Sequence, residues 1–262
     1  MSGILFLPVI ILSLIPSTAF TQTPEEKGVA IAMEMDRRAT GFRDVTAHML
    51  MTLRDRHGRE SIRKMRMKVL EVVGDGDKSL MVFDNPKDVK GTAFLNFTHK
   101  TGNDDQWLYL PALKRVKRIS TRNKSGSFMG SEFAYEDISS LEVEKYTYKW
   151  VRDEEYNGMD CFIVEYYPVD RKYSGYTRQV SWIDKTEYRS HKVEYYDRKN
   201  SHLKTLTIKG YKKYIDRFWR ADELNMVNHQ TGKSTRLEFN DYKFQTGLND
   251  RDFNKNSLKR VK

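Results

Sequence analysis

"VTAHMLMTL", residues 45–53, and "KMRMKV", residues 64–69, decide the fold class. In the first, Val45, Ala47, Met49, Met51 and Leu53 alternate with Thr46, His48, Leu50 and Thr52. In the second, Met65, Met67 and Val69 alternate with Lys64, Arg66 and Lys68. Successive side chains of a strand point to opposite faces, so this period of two predicts strands that bury one face and wet the other. "RHGRE", residues 56–60, turns the chain between them.

Working outward, the same short-strand texture continues. Strands are expected at 79–84, 92–99, 105–110 and 113–119, then at 144–153, 160–168, 176–184, 188–198, 203–214, 217–227 and 233–243. "GDGD", "TGNDD", "DEEYNGMD" and "QTGK" supply turns between several of them. One helix is expected, from Pro24 to about Thr40, with Val29, Ala32, Met33 and Met35 on its apolar side. Glu25 and Glu26 in its first turn and Arg37 and Arg38 in its last match the helix dipole. The tail "LNDRDFNKNSLKRVK", 248–262, reads as short helical or irregular structure. About a dozen antiparallel strands with almost no intervening helix predict a mainly β domain, a barrel or a strongly curved sheet.

The N-terminus points to export. Residues 1–24 carry no charged side chain, and Ile4 to Ile15 form an almost unbroken apolar run. That run is too short to span a bilayer and suits the core of a signal peptide, with Ser17-Thr18-Ala19 as the cleavage region. A signal peptide at 1–19 and a single domain at 25–262 are therefore expected, the mature protein being periplasmic, soluble and monomeric. The single cysteine, Cys161, excludes an internal disulfide framework, and its alternating setting "MDCFIVEYY" makes it a small buried apolar residue.

The oily face of the early strands offers a candidate ligand surface: Met49, Met51, Leu53, Met65, Met67 and Val69, continued by Leu80, Val82, Phe94, Trp107 and Tyr109. Two readings stand side by side, a core filled by its own side chains or an open cavity for an apolar ligand. A curved sheet of this many strands can enclose more volume than it fills, and methionine adapts to varied apolar shapes. Residues 121–142 lack a strand pattern. Phe128, Met129, Phe133 and Tyr135 there seek burial, while Gly126 and Gly130 free the backbone, so the segment is expected to act as a lid with the N-terminal helix, the alternative being a loop pinned on the sheet as static core.

"WLYLPALKRVKRIS", 107–120, followed by "KSGSFMGSEFAYEDI", 124–138, resembles the outer-membrane lipoprotein-sorting-like (LolA-like) family of exported bacterial proteins. The segments "LPALKRV" and "SFMGSEFAYED" carry the resemblance, which covers essentially the whole chain from residue 25. It implies an unclosed antiparallel β-barrel covered by helices, with a hydrophobic cavity for acyl chains. It also implies companionship with membrane transport machinery, such as an inner-membrane transporter, and it transfers no catalytic residue.

Charge completes the reading. The chain carries a net charge of +10, densest at Lys114, Arg115, Lys117 and Arg118. Such a cluster serves either as a solvated, aggregation-resistant strand edge or as a docking patch for an anionic membrane or a partner, at about 1 kcal/mol per residue near a lipid surface. No nucleic-acid-binding motif accompanies it, so nucleic acid is not expected as a partner. The six histidines show no metal-ligand spacing, and Ser125-Gly126-Ser127 lacks the strand–turn–helix setting of a nucleophile elbow. No catalytic residue, metal or cofactor is expected. The protein reads as a carrier of lipid or lipoprotein acyl chains towards the outer membrane, with a non-carrying interaction module on an inner-membrane transporter as the alternative.

Overall fold

The structure is a computed structural model that describes residues 22–260, so the expected signal peptide lies outside the described residues. The chain opens with helix α1 (Pro24–Ala39). Fifteen strands follow: β1 (Asp44–Arg54), β2 (Glu60–Leu70), β3 (Lys78–Asn85), β4 (Ala93–Phe97), β5 (Asp105–Leu110), β6 (Arg115–Ile119), β7 (Tyr146–Tyr156), β8 (Met159–Pro168), β9 (Tyr176–Asp184), β10 (Ser190–Asp197), β11 (His202–Lys209), β12 (Lys212–Tyr214), β13 (Phe218–Arg220), β14 (Glu223–Asn228) and β15 (Ser234–Phe244). Thirteen form one antiparallel sheet in the order β6-β5-β4-β3-β2-β1-β15-β14-β11-β10-β9-β8-β7. The sheet is curved and not closed. Its two edges, β6 and β7, are consecutive in the chain, so residues 120–145 must cross the open side.

Local chemistry explains these elements. Thr23 caps α1 by accepting from the Glu26 amide at 3.2 Å, while the Glu26 carboxylate accepts from the Thr23 amide at 2.8 Å. The buried side of α1 is Gly28, Ile31 and Ala32, with Met35 packed beside it. Val29 and Met33, expected on the apolar side, are 38% and 59% exposed. The face was misread because Gly28 contributes to it: a Cβ there would sit 2.9 Å from the Lys149 and Trp150 amides, so only glycine lets the helix lie so close on β7.

The expected strands at 203–214 and 217–227 each break in two. Gly210, at φ +68°, turns the chain out of the main sheet, and β12 and β13 form a separate hairpin before β14 rejoins it. The tail folds into short 3₁₀ turns at Asp250–Asp252 and Lys255–Arg260. Phe253 and Leu258 then pack against the convex face of β3–β5.

Candidate functional site

Register settles which side chains face the concave side of the sheet. Met49 pairs with Met65, Met65 with Phe83, Met81 with Phe94 and Phe94 with Leu108, so these side chains share one face. On the other side of β1, Met49 pairs with Phe239 and Met51 with Leu237, which extends the same face into β15. Leu80 and Val82 pair with Lys68 and Arg66, and Leu95 pairs with Trp107, on the opposite face.

The concave trough is divided into a filled part and a hollow part. In the filled part, Met49, Met51, Met65 and Phe94 are not cavity lining. They pack around Phe128, Phe133 and Tyr135, with Leu53 and Met129 at the margin of the same cluster. Phe128 is 0% exposed, with its ring centroid 5.1 Å from Phe94, 5.6 Å from Tyr135 and 6.2 Å from Phe83. The 121–142 segment therefore begins as a plug seated inside the sheet, where a lid over a hollow was expected.

Polar contacts fix the plug. Asp137 accepts from Lys204 Nζ at 2.6 Å, from the Tyr176 hydroxyl at 2.9 Å and from the Ala134 amide at 2.7 Å. Lys204 also donates to the Glu132 carbonyl at 2.8 Å, and Asn228 Nδ2 donates to the Glu132 carboxylate at 2.7 Å. Arg63 donates to the Met129 carbonyl. Removing either member of the Lys204–Asp137 pair would leave the other charge buried without its counter-ion, which is strongly unfavourable. Glu136 accepts from Ser174 Oγ at 2.9 Å and the Gly175 amide at 2.8 Å. Burial, helped by the neighbouring Asp137 charge, pushes the Glu136 carboxyl up to about 7. Glu136 faces a small cavity of about 360 Å³ between the two sheet edges, which Ile119, Lys124, Tyr146 and Pro168 also line.

The hollow part is a cavity of about 1020 Å³ between α1, the concave face and the β12–β13 hairpin. That volume is at the upper end of what small-molecule sites offer, about 300–1,000 Å³. Of the expected lining residues, Met67 and Val69 lie on it. Much of the rest of its apolar wall was not identified in the sequence, including Met35, Phe42, Val45, Ile208, Leu224 and Phe239. Val73, 98% exposed, and Leu141, 48% exposed, stand on its rim. Arg220, Trp219 and Tyr211 approach it from the hairpin side, and Asp36, Asp77 and Glu142 from the other. Burial, helped by the Glu71 charge, raises the Asp77 carboxyl to about 6, and burial, helped by the Asp77 charge, raises the Glu142 carboxyl to about 7.

Leu80, Val82, Trp107 and Tyr109 are displaced from the expected site altogether. They join the convex-face cluster under Phe253 and Leu258. The apolar run "LMVF" at 80–83 buries both faces of β3, so alternation carried no information about which residues point inward. Lys114, Arg115, Lys117 and Arg118 lie on or beside the edge strand β6 and are solvent-exposed. Arg118 is paired with Asp105 at 2.5 Å. Cys161 is fully buried, as expected, and burial holds its thiol up at about 11. Among the described residues no group of acidic, histidine or cysteine side chains is arranged to hold a metal. No helix among them is long and apolar enough to cross a membrane.

Comparison with known proteins agrees with this architecture. A family profile described only as an uncharacterized protein matches residues 75–260. No curated protein matches the chain. A Vibrio parahaemolyticus domain named for outer membrane lipoprotein sorting is 60% identical, with TM-score 0.88 over 90% of this chain and 100% of its own. A DUF1329 family protein from Desulfovibrio piger is 31% identical, with TM-score 0.85 over 90% of this chain and 99% of its own. A LolA superfamily protein from Nitrosomonas europaea shares the fold at 19% identity, with TM-score 0.69 over 87% of this chain and 97% of its own. The chain belongs to the outer-membrane lipoprotein-sorting-protein-like family, and its fold is that of the LolA superfamily.

Proposed function

We propose that the protein is a periplasmic, non-enzymatic carrier that shields the acyl chains of lipid or lipoprotein in its open cavity on the way to the outer membrane. The observation that carries this reading is the unfilled volume of about 1020 Å³ bounded by Met35, Phe42, Val45, Met67, Val69 and Leu224. An acyl chain in water is unfavourable by about 0.8 kcal/mol per CH₂, so a soluble carrier must cover most of its length. The cavity walls offer that cover, and the exposed Val73 and Leu141 provide an apolar threshold where a chain would pass from a membrane. Methionine at positions 35 and 67 accommodates chains of differing shape without a tight fit, which favours release as well as capture. The seated plug (Phe128, Met129, Phe133 and Tyr135) lies in the filled part of the trough, outside the cavity lining, so entry and exit belong to the rim formed by α1 and the loops at 71–77 and 140–143.

The exposed cations of the β6 edge, Lys114, Arg115, Lys117 and Arg118, are the docking patch in this reading, facing an anionic membrane or an inner-membrane transporter. Titration with a fluorescent fatty acid tests the carrier role. Saturable uptake that is lost on Met67→Asp supports it. No uptake by the wild-type protein favours a docking module that carries nothing.

A further inference from the structure

The cavity holds one guanidinium whose environment is not explained by the fold. Arg220, the last residue of β13, lines the large cavity. It sits among aromatic rings, with its guanidinium carbon 5.2 Å from the Phe42 ring centre, 5.5 Å from Phe244 and 5.9 Å from Phe218. Of its five N–H donors, one is used: Nη1 donates to the carbonyl of its own neighbour Trp219 at 2.9 Å. No carboxylate of the described residues forms an ion pair with it; Asp77 and Glu71 act on it only at longer range, and burial lowers its proton affinity. The other arginines of the cavity have engagements. Arg189 pairs with Asp184 at 2.9 Å, Arg217 donates to the Thr40 carbonyl at 2.9 Å, and Arg37 and Arg38 both hold Glu34 at 2.7 Å.

A half-buried cation without a counter-ion is costly, and an incoming anion relieves that cost. A planar guanidinium presents parallel donors that match the oxygens of a carboxylate or phosphate. The surroundings add to the donor excess, because the buried Trp219 indole N–H has no acceptor among the described residues. The Tyr242 and Tyr211 hydroxyls are already directed elsewhere, to the Ala221 carbonyl at 3.0 Å and the Ser190 carbonyl at 2.7 Å. The apolar wall of Val45, Val69, Leu224 and Phe239 belongs to the same cavity, so one ligand can meet both surfaces.

We propose that Arg220 anchors an anionic group, a carboxylate or phosphate, borne by an amphiphile whose hydrocarbon tail lies along Val45, Val69, Leu224 and Phe239. The inference rests on the carrier reading and narrows it, since it gives the cargo a charged head and a fixed polarity inside the cavity. The head sits at the hairpin side under β13 and the tail runs along the sheet.

Calorimetric titration of the purified protein with dodecanoate, dodecyl phosphate, methyl dodecanoate and inorganic phosphate tests it. A hydrogen-bonded charge pair is worth enough for about tenfold or greater preference, so both acids should bind at least that much tighter than the uncharged ester. Arg220→Gln should bring the acids down to the affinity of the ester and leave the ester unchanged, and Arg220→Lys should keep part of the preference. Inorganic phosphate alone should show no saturable binding where dodecyl phosphate saturates. Equal binding of acid and ester, or a preference that survives Arg220→Gln, overturns the anchor and leaves the carrier reading intact. Equal binding of free phosphate and dodecyl phosphate overturns it in favour of a plain anion site. Absence of binding by all three tailed ligands sinks the carrier reading itself. If Arg220→Gln also loses the ester, the fold is disturbed and Arg220→Lys decides: retained preference supports the anchor, lost preference overturns it.

Discussion

Phe128→Ala separates a seated plug from a movable lid. Phe128 is 0% exposed and touches the rings of Phe83, Phe94 and Tyr135, so truncation removes those contacts and leaves a void among Met49, Met51 and Met65. Deleting a fully buried phenylalanine costs about 3–5 kcal/mol. At about 2–4 °C per kcal/mol for a domain of this size, the melting temperature should fall on the order of 10 °C. Urea unfolding followed by far-UV circular dichroism should show a lower midpoint with an unchanged slope, because the surface exposed on unfolding is nearly the same. The hollow part is built from other residues, so fatty-acid uptake well below the melting temperature should match that of the wild type. An unchanged melting temperature would mean that Phe128 leaves its seat readily, and the division of the trough into filled and hollow parts would be wrong.

Two further outcomes follow from the same division and from the buried carboxylates. Met65→Asp places a carboxylate at a 1% exposed position between Met49 and Phe83 and should abolish folding, whereas Met67→Asp borders the cavity and should yield folded protein with uptake weakened about tenfold or more; solubility and near-UV circular dichroism read the first, ligand titration the second, and identical behaviour of the pair would contradict the assigned boundary. Glu136 has its carboxyl raised from 4.5 to about 7, so the folded state holds its proton more tightly than the unfolded chain: its contribution to stability is complete below pH 4.5 and is lost as pH rises through about 7. At 1.36 kcal/mol per pKa unit the loss is up to about 3 kcal/mol. Glu136→Gln should lower the slope of the stability profile between those limits, leaving the comparable contributions of Asp77 and Glu142; equal slopes for variant and wild type would show that Glu136 is solvated.

The sequence carried the sheet but only part of the site, for physical reasons that can be named. Alternation in β1 and β2 was legible because each has charged or polar side chains on its wet face, and Met67 and Val69 of β2 line the cavity. In β3, β4 and β5 the C-terminal tail covers the convex side, so apolar residues occupy both faces and Leu80, Val82, Trp107 and Tyr109 could not be oriented from pattern alone. The opposite wall of the cavity depends on β1 pairing with β15, a contact between the two ends of the domain that no local pattern reveals. The composition of 121–142 announced burial through its aromatic residues. What makes the segment a plug is the Lys204–Asp137 pair, whose members lie in distant parts of the chain. The short hairpin that supplies Arg220 was hidden within two longer apparent strands, although Gly210 marked the break.

Native mass spectrometry of protein purified from a membrane-containing host shows whether the hollow holds a lipid. A lipid-sized adduct is expected on the wild-type protein and should disappear in folded Met67→Asp. A wild-type spectrum with no adduct, from protein that also takes up no added fatty acid, would contradict the carrier role.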